Sequence, residues 1–264
     1  MIAARSPADA FECAIEAVRI ATRFMTPVML LTDGYIANAA EPWKVPDMAG
    51  FAPFPVAFFD TAPGEGEGVM PYARNAELAR PWIRPGTPGL EHRIGGIEKA
   101  PGSGNIDYSP EAHAEMTRIR AAKVANVGAT VPDQDVCLGE PSGELAVVGW
   151  GSTYGPIHQA VRRARSKGLS VSHIHIRHIV PMPKNLAVLL GGFKHILVPE
   201  MNSGQLKTIL RDHFLVDAQS VTKVSGQPFH IAEIEAAIEA KLGDEGPTGV
   251  RVRDFSDFKG GAGS

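Results

Sequence analysis

Apolar and polar positions along the chain follow two periods, and each change of period marks an element. Phe11, Ala14, Ile15, Val18, Thr22 and Met25 recur at three- and four-residue spacing, the signature of one helix face. Ser6 can cap this helix, Pro7 takes its first position, and Asp9 falls three residues after the cap. Pro27 ends it, and Val28-Met29-Leu30-Leu31-Thr32 follows as a short, nearly all-apolar strand. Such a strand is expected to be buried on both faces of a parallel sheet. A helix feeding a central strand, with no strand before it, reads as the tail of a domain.

From Gly143 onward the pattern is regular. Strands are predicted at Leu145–Trp150, Ser170–Ile176, His195–Val198 and Val221–Val224. Helical faces lie between and after them: Ile157, Ala160, Val161 and Ala164; Lys184–Leu190; Leu206, Ile209 and Leu210; Ile231, Ile234, Ala237 and Ile238. This alternation predicts an α/β fold, a parallel sheet with helices on both faces.

Between the two patterned regions the periodicity disappears. Pro42 to Pro110 holds 11 of the 21 prolines and 10 of the 28 glycines, so it is predicted to be mostly loop. One strand is expected around Pro55–Phe59, and Ser109-Pro110-Glu111 opens a helix running to about Val127. A loop of this length is a linker or a functional lid. The last 22 residues, Gly243–Ser264, carry six glycines and few large apolar side chains, and are expected to be disordered.

Composition narrows the chemistry. Twenty-six Lys and Arg against 29 Asp and Glu leave a net charge of −3, with no basic footprint for nucleic acid or an anionic membrane. No apolar run is long enough to span a bilayer, and acids interrupt the first stretch, so a cytoplasmic protein is expected. Cys13 and Cys137 are the only cysteines, too few for a four-cysteine cluster or a structural zinc site. Cys13 on a helix reads as a small buried hydrophobe, and Cys137 has no nearby cation to activate it.

Four constellations could carry function, each with a plainer alternative. Gly149-Trp-Gly-Ser-Thr-Tyr-Gly155 sits at a strand-to-helix turn, but its GxGxxxG spacing departs from the dinucleotide fingerprint and no acid closes the next strand. A tight turn is the simpler reading. His173, His175 and Arg177 alternate along a strand, with His178 beyond. No carboxylate or cysteine completes a metal set, so a polar strand end facing a cleft or subunit is expected. Asp33 follows the first strand, where α/β sites gather, or is a turn residue. The stretch Arg84–Lys99 brings charged residues into a glycine-hinged loop, either a lid or a solvated linker.

Several runs taken together resemble a known family. Thr26-Pro-Val-Met-Leu-Leu-Thr-Asp-Gly-Tyr-Ile-Ala-Asn38, Glu41-Pro-Trp43, Pro85-Gly-Thr-Pro-Gly-Leu-Glu-His92, Val148-Gly-Trp-Gly-Ser-Thr-Tyr-Gly155, His175-Ile-Arg-His178, Pro181-Met-Pro183 and Val198-Pro-Glu-Met-Asn-Ser-Gly-Gln-Leu206 are similar to the α subunit of 2-oxoacid:ferredoxin oxidoreductases. The 2-oxoglutarate type is the nearest, and the resemblance covers about Ser6 to Lys241.

The resemblance implies a transketolase-C-terminal-like parallel sheet domain, preceded by the end of a thiamine-fold pyrimidine-side domain and a long Pro/Gly-rich connector. On that reading residues 1–41 are the remnant of the pyrimidine-binding domain, 42–142 the connector, 143–242 the transketolase-like domain and 243–264 a tail. It implies thiamine diphosphate with Mg and an iron–sulfur cluster, both mainly on a β subunit, and coenzyme A as acyl acceptor. Ferredoxin, reached through the complex, takes the electrons.

Relatives also carry a γ portion and most of the pyrimidine domain, with a Tyr-Pro-Ile-Thr-Pro motif and an activating Glu. None of these occurs here, so the chain corresponds to the C-terminal part only and is expected to be inactive alone. Glu91, His92 and Arg93 are the candidates for approaching the active centre, by gating or by gripping a carboxylate. A non-catalytic assembly module of such a complex is the alternative.

Overall fold

A computed structural model of the chain describes residues 1–54, 56–60 and 68–243. The expected tail 244–264 and Pro55 of the expected strand lie outside the described residues. Of that strand, Phe58 forms a single bridge to Trp82.

Five strands form the main sheet: β3 (Val136–Leu138), β4 (Gly143–Gly149), β5 (Val171–His175), β6 (Phe193–Glu200) and β7 (Ala218–Thr222), in the order β3-β5-β4-β6-β7. β4 to β7 pair in parallel, and β3 runs antiparallel along the β5 edge. β3 escapes the sequence pattern because three half-buried residues are too few to show a period.

The alternation of the strands divides the core. Leu145, Val147, Val171 and Leu197 meet Ile157, Val161 and Ala164 of α4 (Tyr154–Ser166) and Ile234 and Ile238 of α7 (Ile231–Gly243). Ala146, Val148, Ile174 and Val198 point the other way. They meet Leu186 and Leu190 of α5 (Leu186–Gly191) and Leu206 and Leu210 of α6 (Gln205–Phe214). A strand covered on both faces cannot show polar alternation, which is why β4 reads as a continuous apolar run.

The first forty residues dock on this sheet domain. β1 (Ile2–Ala3) pairs in parallel with β2 (Leu30–Leu31). On its other side, Ala3 N donates to Arg177 O at 2.8 Å and Ile179 N to Met1 O at 3.0 Å. β1 is thus a two-sided splice between the small sheet and the segment after β5. The expectation for Val28–Thr32 needs correction. Its strand is two residues long, both half-buried, and Met29 is 62% exposed. Among the described residues β2 has one neighbour, so an apolar sequence alone did not bury it.

α1 (Pro7–Phe24) begins as expected, with Asp9 N donating to Ser6 Oγ at 3.3 Å. α3 (Pro110–Val127) is capped by Ser109, which accepts from Ala112 N at 3.2 Å. Phe24, Val127 and Val131 close the joint between these helices. The connector is tied to α1 by Trp82 Nε1, which donates to Thr22 O at 2.8 Å.

Candidate functional site

The strand order reverses at β4: the chain leaves it toward β5 and then crosses to β6 on its other side. Ligands of parallel α/β sheets gather in the crevice outside the strand ends at such a switch point. Here the loops after β4 and β6 diverge around a crevice of about 370 Å³. Trp150, Gly151, Ser152 and Thr153 form one wall and Met201 and Asn202 another, with Ala3, Leu30, Leu31 and Asp33 opposite.

Asp33 does two things at once. Its Oδ1 accepts from Ile36 N at 2.9 Å, capping the short helix α2 (Gly34–Asn38), and its Oδ2 accepts from Ser152 Oγ. Asp33 is thus a cap residue, the plainer of the two readings, and its side chain lies at the crevice. Glu200, fully buried at the end of β6, accepts from Leu206 N at 2.8 Å and Lys207 N at 2.9 Å. That carboxylate already occupies the start of α6, where an external anion would otherwise be attracted.

The turn after β4 is tight for a steric reason. A Cβ on Gly149 would strike Ile157 Cδ1 and lie 2.9 Å from Thr153 Oγ1. Gly149→Ala is expected to cost about 1–3 kcal/mol, read by thermal unfolding.

Beneath this turn lies a cluster the sequence did not foresee. The Tyr154 ring lies 5.0 Å from that of His175, 5.2 Å from His173 and 5.4 Å from His158, with the Arg5 guanidinium 5.0 Å above Tyr154. His173 and His175 are buried, and their ring nitrogens make no hydrogen bonds. The expectation of a polar strand end facing a cleft or subunit is corrected for these two, since α4 covers that face of β5. Burial first, then His158 and Arg5, pushes the His173 pKa down to about 3. His175 is held well below its ordinary value by burial, then by His173 and Arg5. Both imidazoles are neutral at pH 7.

Arg177 and His178 serve the docked helix. Arg177 Nη2 donates to Asp9 Oδ1 and lies 3.7 Å from Glu12, while its Nη1 is 3.6 Å from Glu16. His178 Nε2 is 2.7 Å from Glu16 Oε1. Three acids of α1, spaced at three and four residues, thus meet Arg177 and His178 just past β5.

The loop candidates stand elsewhere. Glu91 and Arg93 are exposed, His92 Nδ1 lies 2.8 Å from Leu90 O, and none of the three lines the crevice. Their loop is anchored by Glu98, which meets His113 at 2.8 Å and Arg120 at 3.4 Å.

Neither cysteine suits a cluster or a nucleophile. Burial, reinforced by Asp9, pushes the Cys13 thiol up to about 12, and burial also raises Cys137. Among the described residues no three His, Cys, Asp or Glu side chains converge as a metal site. No described helix is long and apolar enough to cross a membrane.

Comparisons with known proteins agree along almost the whole chain. Residues 1–100 match the family described as pyruvate flavodoxin/ferredoxin oxidoreductase, thiamine diP-binding, and residues 143–234 match pyruvate:ferredoxin oxidoreductase core domain II. The 2-oxoglutarate oxidoreductase subunit KorA of Mycobacterium tuberculosis is 51% identical over 245 residues, 92% of this chain and 36% of that protein. The 2-oxoacid:ferredoxin oxidoreductase 2 subunit alpha of Aeropyrum pernix is 27% identical over 92% of this chain and 38% of its own length. The chain therefore spans little more than a third of these relatives. A solved structure, the 2-oxoglutarate:ferredoxin oxidoreductase from Magnetococcus marinus with 2-oxoglutarate, coenzyme A and succinyl-CoA bound, shares the fold with a TM-score of 0.83. That match has 24% identity and covers 91% of this chain and 42% of the other. The chain belongs to the 2-oxoacid:ferredoxin oxidoreductase family and is homologous to its α subunit of the 2-oxoglutarate type.

Proposed function

We propose that this chain works as part of the α subunit of a thiamine-diphosphate-dependent 2-oxoglutarate:ferredoxin oxidoreductase. The observation that carries the reading is 51% identity to a 2-oxoglutarate oxidoreductase subunit over 92% of the chain. The reaction is oxidative decarboxylation of the 2-oxoacid to its acyl-CoA, with electrons passed to ferredoxin. A β subunit supplies thiamine diphosphate with Mg and the iron–sulfur cluster. A γ and pyrimidine-side portion beyond the residues present here completes the centre. The complex acts in the cytoplasm.

Within that assembly residues 1–41 close the pyrimidine-side domain, 42–142 connect, and 143–242 form the transketolase-like domain. The chain's own contribution is positional: the Asp33–Ser152 bond and the Arg177 ion pairs hold the first forty residues against the sheet. Exposed Trp43, Phe54, Phe58 and Phe59 on the connector support the second reading, an assembly module that contacts other subunits without touching substrate.

Arg93 separates the two. If the loop grips the substrate carboxylate, Arg93→Gln in the assembled enzyme raises KM for the 2-oxoacid about ten- to hundredfold. Unchanged KM and kcat would assign the loop to assembly.

A further inference from the structure

We propose that Arg74, Arg80 and Lys123 form a recessed site for the phosphates of a nucleotide, whose base takes the aromatic wall beside Arg80. Two distant segments supply these cations, Tyr72–Arg80 of the connector and α3, and the carbonyl just past α1 holds Lys123. The Tyr72 ring carries both guanidinium groups, Arg80 at 4.4 Å and Arg74 at 5.6 Å from its centroid. Lys123 Nζ donates to Met25 O at 3.1 Å, a neutral carbonyl.

No carboxylate pairs with any of the three among the described residues. Glu115, the acid felt by Arg74, is held by Arg118 through two hydrogen bonds of 2.8 and 2.7 Å. Arg74 Nε is buried and makes no hydrogen bond, and its Nη1 has only Tyr72 O at 3.4 Å. Burial and then the neighbouring arginines weaken the hold of Arg74 and Lys123 on their protons. Like charges gathered and partly dried, with no counter-ion among the described residues, are costly, and an anion relieves both burdens.

Arg80 also lines a hollow of about 570 Å³ walled by Trp82, Phe58 and Phe59, a volume suited to a nucleotide-sized group. Glu77 faces the same hollow, but Arg23 neutralises it with two bonds of 3.1 Å from Nε. Arg84, 4.3 Å over the Phe58 ring, adds a further cation at the aromatic wall. The hollow thus offers an apolar aromatic wall with Arg80 at its edge, and Arg80 links it to the cations around Tyr72, an arrangement complementary to a base and its phosphates.

The test is calorimetric titration of the assembled enzyme with ADP, with adenosine and with coenzyme A. ADP should bind at least tenfold more tightly than adenosine, and Arg80→Gln should weaken ADP about ten- to hundredfold. Displacement of ADP by coenzyme A would identify the reaction's acyl acceptor as the source of the phosphates. ADP binding that coenzyme A does not displace would identify a free nucleotide. Without ligand, Arg74→Met should raise the melting temperature, because it removes a half-buried guanidinium that meets no carboxylate among the described residues. Equal binding of ADP and adenosine, or none of either, would overturn the proposal. So would release of another subunit by Arg80→Gln, which would assign the cations to a carboxylate of that subunit. These readouts do not depend on turnover, so failure here leaves the oxidoreductase reading intact.

Discussion

Acid should weaken the sheet domain steeply below pH 6.5, and the two buried histidines of β5 are the reason. In the unfolded chain each imidazole takes up a proton near pH 6.5. In the folded chain His173 does so only at about 3, and His175 well below its ordinary value. A depressed histidine pKa means the unfolded state binds more protons throughout that window, so stability falls as pH falls. His173 alone should cost roughly 1 kcal/mol for each pH unit between about 6.5 and 3. His175 adds a loss of the same sign. Denaturant midpoints from pH 7.5 to 4.5 should show this slope, and the double variant His173→Phe, His175→Phe should flatten it while keeping rings in the Tyr154 cluster. An unchanged slope would mean that acid acts elsewhere.

Arg177→Met should be the most damaging single substitution at the joint between α1 and the sheet domain. Asp9 keeps only 4% of its side chain in contact with solvent, and Arg177 is the cation that neutralises it. Arg5 Nε is farther, at 3.7 Å from Oδ1. Removing the nearer cation leaves a buried carboxylate with only Arg5, a loss of up to about 3–5 kcal/mol. Asp9→Asn in the Arg177→Met background should recover part of that loss, because the neutral amide needs no counter-ion. The coupling is read from a double-mutant cycle on thermal or denaturant unfolding. Additive losses would show that Arg177 acts through Glu12 and Glu16 instead. Glu16 sets a second, lower acid limit. Burial works to raise its pKa, but His178 and Arg177 together hold it below the ordinary value. Its contribution is therefore present above about pH 4.5 and is lost as pH falls through the lowered pKa.

The regular half of the chain was legible because strands covered on both faces, and helices with one covered face, write their burial into the sequence. α3 begins at Pro110 and ends at Val127 as its cap and spacing required. β2 misled for the opposite reason: Val28–Leu31 is apolar, yet what covers such a run is set by neighbours rather than by composition. The crevice was half legible. Asp33 and the glycines of the β4 turn were visible, but the strand order that brings Met201 and Asn202 beside them is a long-range property.

The histidines of β5 show a sharper limit. Alternation places His173 and His175 on one face, but only the position of α4 decides that the face is buried. The cationic group around Tyr72 was not readable at all. Arg74 and Arg80 lie in a loop without periodicity and Lys123 on α3, far apart in the sequence.

The most direct measurement is the reduction of a one-electron acceptor by the native complex isolated through this chain. The rate should depend on both 2-oxoglutarate and coenzyme A, and the chain by itself should give none. Reduction that proceeds without either substrate, or turnover by the isolated chain, would contradict the proposed role.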